Sequence, residues 1–311
     1  MIRFVKNGEI DREKWNQCIA QSGYPTVFAD YDFLKIASPY WCALIKGNYE
    51  YVMPLPVRSR LSIRYVYMPF FVSRLGIFSA KPVDAKLIEE FVARIPSSLR
   101  QIDLFLNPAN PVEETALHPV MMNSYRLKLN RPYVLLQQLF TENTRRNIKS
   151  SQKHKLTTCY DVQVRDVVRL FKAGRGRDKA VGYTKRDYAR LGRMAAYMEK
   201  KGKLDITGAR DEKGNLLAGA LFLRDYDRIW FWFSGRNKAF SEKKAMFFII
   251  NEYLKEHANE AHYFDFNGSM NENIARFYRG FGAEKYQFPM LNIRRYSYLS
   301  PFIRIYKAII K

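Results

Sequence analysis

Tyr263-Phe-Asp-Phe-Asn-Gly-Ser-Met-Asn-Glu-Asn-Ile-Ala-Arg-Phe-Tyr-Arg-Gly-Phe-Gly-Ala-Glu284 is the stretch from which the rest of this 311-residue chain is read. The run Tyr263 to Phe266 predicts a short buried strand, Asn267 to Glu272 a polar turn, and Asn273 to Arg279 a short helix. Gly280 and Gly282 predict the left-handed or closely packed backbone that stops such a helix before a new strand begins near Lys285. A strand, a tight polar turn and a short helix place side chains at the edge of a groove.

Working upstream, a long helix is expected from about Ser241 to Ala258. Ser241 is its candidate cap, and Ala245, Phe248, Ile249 and Tyr253 repeat at helical spacing. Before it, Leu204 to Arg210, Leu216 to Leu223 and Arg228 to Ser234 are separated by Asp211-Glu-Lys-Gly-Asn215 and Arg224-Asp-Tyr-Asp227. That turn chemistry predicts an antiparallel meander. Two helices precede the meander, one from about Asp166 and one from Lys185 to Lys201, stopped at Gly202. A crossover helix after a meander delivers the chain to a parallel neighbour.

The first 140 residues run through a similar order. Helices are expected near Asp11 to Gln21, Asp30 to Ala37 and Asp84 to Ile95. Strands are expected at Trp41 to Lys46, Tyr49 to Val57, Ile63 to Phe70 and Ile102 to Leu106. A local echo joins the halves: Asp30-Tyr31 with Leu34 follows Tyr24, and Asp187-Tyr188 with Leu191 follows Tyr183. The fold class expected is α/β with a mixed sheet, in two tandem domains, 1–140 and 141–311, with the tail 294–311 packing back on the first domain or lying on an anionic membrane.

Asn271, Phe277, Tyr278 and Gly282 resemble the last βα unit of the GNAT acyltransferase fold, although Ile274 and Ala283 depart from its pattern. Asp265-Phe266-Asn267-Gly268 and Phe277-Tyr278-Arg279-Gly280-Phe281-Gly282 are similar, without a gap, to the FemAB-like (FemABX-type) branch of that superfamily. The resemblance implies tandem GNAT-like domains, the first without a counterpart of the Tyr278 segment and hence non-catalytic. It also implies transfer of an acyl group to an amine, with acyl-CoA or aminoacyl-tRNA as co-substrate and no tightly bound cofactor. By resemblance Tyr278 is the candidate acid, and Phe233, Ser234 and Asn271 are candidate contacts of the donor. The stretch Arg145-Arg-Asn-Ile-Lys149 is similar to a basic stretch at this place in FemAB-like proteins. The loop Arg236-Asn-Lys-Ala-Phe-Ser-Glu-Lys-Lys-Ala245 lacks the glycines of CoA-binding relatives and leaves Arg236, Lys243 and Lys244 to meet phosphate.

Composition sets the outer bounds. With 47% hydrophobic and 15% aromatic residues the chain can build its own cores. No run of 18 apolar residues occurs and the N-terminus lacks a secretory pattern, so a cytoplasmic location is expected. Cys18, Cys42 and Cys159 are scattered and the histidines lack ligand spacing, so no metal is expected.

A net charge of +22 points to a polyanionic partner: tRNA, a lipid-linked or nucleotide-linked cell-envelope precursor, or an anionic membrane met at its periphery through the tail. Arg145 to Lys155 and Arg294 to Lys311 hold cations and no acidic residue. Each is either a solvated basic face or a phosphate contact, with Arg145, Arg146 and Lys149 the candidate substrate-binding cations.

Amide formation needs an unprotonated amine, a stabilised oxyanion and an acid for the leaving group, without a covalent nucleophile. The absence of a Gly-x-Ser-x-Gly elbow fits this chemistry. Tyr278 is then an acid at the groove or a core ring, and Asp265 receives or orients the amine or caps a turn. The competing class is a catalytically inactive GNAT-like protein that binds RNA or anionic membrane through its basic surface.

Overall fold

The structure is a computed structural model of the chain, and it describes all residues except 61–62, 113–114, 179–181, 261 and 296–311. The chain divides into two compact units, Met1–Met121 with the segment from Phe288 onward, and Met122–Gln287. This division differs at both ends from 1–140 and 141–311. Tyr125, Leu127, Leu136 and Phe140 are buried in the core of the second unit, whereas Met290 to Arg294 pair with a strand of the first. Of the tail expected to return to the first domain, residues 296–311 lie outside the described residues.

The first unit contains β1 (Ile2–Lys6), α1 (Arg12–Gln21), α2 (Tyr31–Ala37), β2 (Cys42–Lys46), β3 (Tyr51–Leu55), β4 (Val57–Arg60), β5 (Ile63–Val66), α3 (Ala85–Ala93) and β6 (Leu99–Phe105). The helices begin where carboxylates accept backbone N–H groups: Asp11 before α1, Asp30 before α2 and Asp84 before α3. The three strands expected between Trp41 and Phe70 are four strands in two sheets. β1, β2 and β3 form one antiparallel sheet, and β4 pairs with β5, which runs parallel to β6 through α3. Pro56, between β3 and β4, has no N–H to carry a ladder onward, and the chain changes sheet there.

The chain continues as β7 (Val120–Lys128), α4 (Tyr133–Gln138), α5 (Glu142–Lys153), β8 (Thr157–Cys159), α6 (Val164–Ala173), α7 (Lys185–Lys200), β9 (Leu204–Arg210), β10 (Leu216–Arg224), β11 (Arg228–Arg236), α8 (Ala245–Glu256), β12 (Tyr263–Asp265), α9 (Glu272–Gly280) and β13 (Glu284–Arg294). In the second unit the strand order is β7-β12-β11-β10-β9-β8. β9, β10 and β11 form the expected antiparallel meander, and α8 returns the chain to β12 as a parallel neighbour of β11. β7 and β8, which the sequence pattern did not announce, pair antiparallel with β12 and β9.

Glycines fix where α6 lies. Gly208, Gly219 and Gly235 stand directly opposite one another on β9, β10 and β11. A Cβ at Gly219 would lie 2.9 Å from Val167, and one at Gly235 would lie 2.5 Å from the backbone N of Phe171 and meet the carbonyl of Val167. Three adjacent strands without side chains make a trough, and α6 sits in it at backbone distance.

The helix expected from Ser241 starts at Ala245 instead. The Ser241 hydroxyl donates to the carbonyl of Lys238 inside a short 3₁₀ turn, and Lys244 takes a left-handed conformation (φ 54°) at the helix start. The capping hydroxyl is used one turn too early, and nothing caps α8 with a side chain. Ala245, Phe248, Ile249 and Tyr253 are buried as their spacing predicts.

Candidate active site

The site begins where two parallel strands part. β12 pairs with β11 only through Arg228–Tyr263, Ile229–Phe264 and Trp230–Asp265, while β11 runs on to Arg236. From Phe231 onward the edge of β11 is released from β12. On its other side β11 stays paired with β10, but a bulge lets Trp232 drop out of register between Phe231 and Phe233. One extra residue reverses the alternation of side chains. Phe231 therefore joins the core beneath α8 and α9, whereas Phe233 packs against Phe171 of α6, with ring centroids 4.7 Å apart.

Tyr278, on α9, lies against this parting. Its ring stacks on Phe266 at 4.6 Å, meets Phe231 edge-on at 6.4 Å and tilts against Tyr125 at 6.0 Å. The residue is 9% exposed, and its hydroxyl hydrogen-bonds to none of the described residues. Burial pushes its pKa well above the ordinary phenol value, Arg175 pulls it down and Asp265 adds to the rise. The phenol is thus held protonated, as a donor, at neutral pH.

Asp265 ends β12 and is 1% exposed. One carboxylate oxygen accepts from the N–H of Asn267 (2.8 Å) and the hydroxyl of Ser124 (3.3 Å), and the other accepts from the hydroxyl of Tyr286. The first bond closes a turn over Phe266, and Asn267 and Gly268 follow in the left-handed region at φ 63° and 77°. Gly268 is needed here, since a Cβ would lie 2.8 Å from the carbonyl of Asn123. Asn271 then caps α9, accepting from the N–H groups of Asn273 (3.0 Å) and Ile274 (3.2 Å). The C-terminal end of α9 abuts α5: the N–H of Thr141 donates to the carbonyl of Gly280 at 2.9 Å, and a Cβ at Gly280 would strike the hydroxyl of Thr144. Gly282 follows in the left-handed region at φ 77°. The roles expected of Gly280 and Gly282, close packing and a left-handed stop, are those they have.

Residues 140–287 match the family described as Acetyltransferase (GNAT) domain. No curated protein matches the chain in sequence. Among solved structures, the chain is similar to FemX, at 12% identity with a TM-score of 0.63, covering 95% of this chain and 98% of that one. It is similar to a tandem GNAT protein from the clavulanic acid biosynthesis pathway, at 12% identity, a TM-score of 0.57 and coverage of 96% and 99%. It is also similar to the C-terminal domain of a putative lysylphosphatidylglycerol synthetase from Agrobacterium fabrum, at 9% identity, a TM-score of 0.54 and coverage of 98% and 97%. The chain has a GNAT-like fold.

Within that GNAT fold, the residues singled out from the sequence fall into two groups. Tyr278, Asp265 and Asn271 are brought together by the β12 to α9 turn, with Asn271 as the helix cap. Phe233 is buried against α6, and Ser234 follows it on the released edge of β11. Arg236 ends β11 and is exposed, and Lys244 supplies the bent start of α8. Lys243 is committed elsewhere: its ammonium lies 2.7 Å from Asp211, in the β9 to β10 turn, and that bond is the first cause holding the Asp211 carboxyl down to about 2.

Arg145, Arg146 and Lys149 are exposed on α5, whose buried face (Thr144, Ile148, Ser151) packs toward α8 and α9. Arg146 lies 4.0 Å from Glu142, one turn earlier on the same helix. The sequence reading missed Arg175. It is an exposed cation in the turn after Gly174, its field reaches both Tyr278 and Tyr183, and it makes no ion pair among the described residues. The signal available was Gly174-Arg-Gly-Arg177, a helix stop followed by alternating cations.

Proposed function

We propose that the protein is an N-acyltransferase that forms an amide on an amino-bearing, phosphate-containing acceptor, with aminoacyl-tRNA or acyl-CoA as donor. The observation that carries this reading is the release of β11 from β12 beside a buried, protonated tyrosine. A strand edge that has left its parallel neighbour can receive an extended donor arm, and a buried phenol can serve the leaving group.

In this reading the amine attacks the acyl carbon, a C–N bond forms, and the C–S bond of a thioester or the C–O bond of an aminoacyl ester breaks. Tyr278 gives its proton to the departing sulfur or oxygen and is made whole by the proton the amine loses. Asp265 is a positioning residue: the bond it accepts from Asn267 holds the turn, those from Ser124 and Tyr286 anchor it, and its charge favours the protonated phenol. Ser234 and the backbone around Phe233 line the donor arm. Arg236, Lys244 and Arg175 neutralise donor phosphates, and Arg145, Arg146 and Lys149 those of the acceptor. The missing glycines before α8 favour aminoacyl-tRNA over CoA, because close approach of backbone N–H groups to a pyrophosphate is harder there. The names FemX and lysylphosphatidylglycerol synthetase among the structural neighbours support a cell-envelope acceptor, lipid-linked or nucleotide-linked.

The test is incubation of the protein with charged tRNAs and acyl-CoAs in the presence of amino-bearing envelope precursors, followed by mass spectrometry. A mass increment on the precursor equal to the acyl group is the expected result. If a CoA ester is the donor and binds with micromolar affinity, millimolar ester stabilises the fold by about 4 kcal/mol. No transfer from any donor, with salt-sensitive binding of tRNA or anionic vesicles retained, would overturn the enzyme and leave the inactive binder.

A further inference from the structure

A groove of about 880 Å³ lies between α6 and α7, formed by one face of each helix over β9. The end of α6 lies beside the start of α7. Lys172 sits over the ring of Tyr188 there, at 4.4 Å. Along α7 the groove is floored by Ala189, Gly192 and Ala196 at near-helical spacing, and a Cβ placed on Gly192 would meet nothing within 4 Å. Val162, Val164 and Ile206 continue this small, aliphatic floor at the far end.

Charge is distributed unevenly along the groove. Arg169, Lys172 and Lys185 cluster at the turn end, whereas the far end carries one charge of each sign, Arg165 and Glu199. The surroundings are the same in kind: residues 165–203 hold thirteen lysines and arginines against four acidic residues. Lys185 has no ion pair among the described residues, and Arg169 is paired only at the surface with Asp166, at 3.1 Å.

We infer that this groove docks an anionic lipid, with its phosphate head at the Lys172 and Lys185 end and its hydrocarbon chain on the Ala189, Gly192 and Ala196 floor. A polynucleotide requires cations along the whole track and exposed rings for its bases. The floor is aliphatic, and the one aromatic wall, Tyr188, is already packed against Phe171 and Lys172. An acidic helix would find cations concentrated at one end of the groove only. A molecule charged at one end and apolar along its length matches both features. The inference rests on the groove alone and does not depend on the transfer reaction.

Titration calorimetry of the full chain with octyl, decyl and dodecyl phosphate, each below its micelle concentration, tests this. Affinity is expected to rise about threefold to fourfold per added methylene. Gly192→Leu and, separately, Ala196→Leu fill the floor from helix positions where a larger side chain has room, Gly192 half-buried with nothing within 4 Å of an added Cβ and Ala196 exposed, and are expected to abolish that rise while thermal unfolding stays two-state. Lys172→Gln with Lys185→Gln is expected to weaken every chain length by a similar factor, about tenfold. Vesicles of phosphatidylcholine with phosphatidylglycerol should bind the parent protein and lose it in Gly192→Leu. Equal affinity for inorganic phosphate and dodecyl phosphate, a chain-length dependence surviving both leucine variants, or binding confined to tRNA would each overturn the proposal.

Discussion

Two strand-to-helix passages of the second unit begin on neighbouring parallel strands and are built differently. Between β12 and α9 the turn is fastened by side chains: Asp265 holds the Asn267 N–H, Gly268 nestles against Asn123, and Asn271 caps the helix. Between β11 and α8 the chain makes a 3₁₀ coil that Asn237 caps and that ends in a left-handed lysine, α8 itself starts without a side-chain cap, and of the cations there Arg236 and Lys238 stand exposed while Lys243 is tied to Asp211. On the first side Phe266 packs against Phe231, Phe264, Tyr278 and Phe281. A rigid, dry passage can hold a proton donor to within a fraction of an ångström, and a loose, basic passage can adapt to a charged substrate. Each prediction below presses on one side of this contrast.

The largest effect is expected from Tyr278→Phe. Because the hydroxyl makes no hydrogen bond to described residues, its removal leaves the ring stack with Phe266 intact and costs the fold little. Transfer by the variant is expected to fall by about 10²- to 10⁴-fold, the range for loss of a positioned general acid, with KM and melting temperature nearly unchanged. Full activity in the variant would remove the proton donor from the dry passage and leave that turn a purely structural device.

Next is the seat of α6, which holds β11 where it parts from β12. Gly235→Ala forces a methyl group into the backbone of α6, so strand or helix must shift. The expected cost is about 1 to 3 kcal/mol, read as a drop of roughly 3 to 10 °C in melting temperature. Gly219→Ala meets only side chains, those of Val167 and Val162, and should cost less. Equal losses at both positions would show that the trough does not locate β11.

Much of the dry passage was legible in the sequence because its causes are local. A strand of apolar residues, a carboxylate that caps a turn and two stop glycines each act within a few residues of where they stand, whereas Asn271, read as a donor contact, is the cap of α9. What was not legible depends on residues far apart. Gly208, Gly219 and Gly235 have meaning only once three strands are in register. The flip from Phe231 to Phe233 comes from a bulge set by β10. β7 pairs with a strand 135 positions later, Tyr263 with Lys128, so its own sequence gives no hint of its partner. The start of α8 was misread for a related reason: Ser241 is a good cap in isolation, but its hydroxyl bonds backward to Lys238.

The smallest effect concerns the fastening of the loose passage. Asp211 accepts from Lys243 and from the N–H groups of Lys213 and Asn215, at 2.7, 3.1 and 3.0 Å. Together these lower its carboxyl from the ordinary 3.8 to about 2, with Lys243 the first cause. A carboxyl held low in the folded chain stabilises it above the unfolded value and loses that contribution as pH falls from about 4 toward 2. Asp211→Asn keeps the turn's shape but removes the charge, so the parent should be the more stable at pH 7 and the difference should shrink through that acid window. Chemical denaturation at pH 7, 4 and 2.5 reads it directly. A difference that persists unchanged at pH 2.5 would mean that the ion pair does not fasten the β11 to α8 passage, and that Lys243 is as available to a phosphate as Arg236.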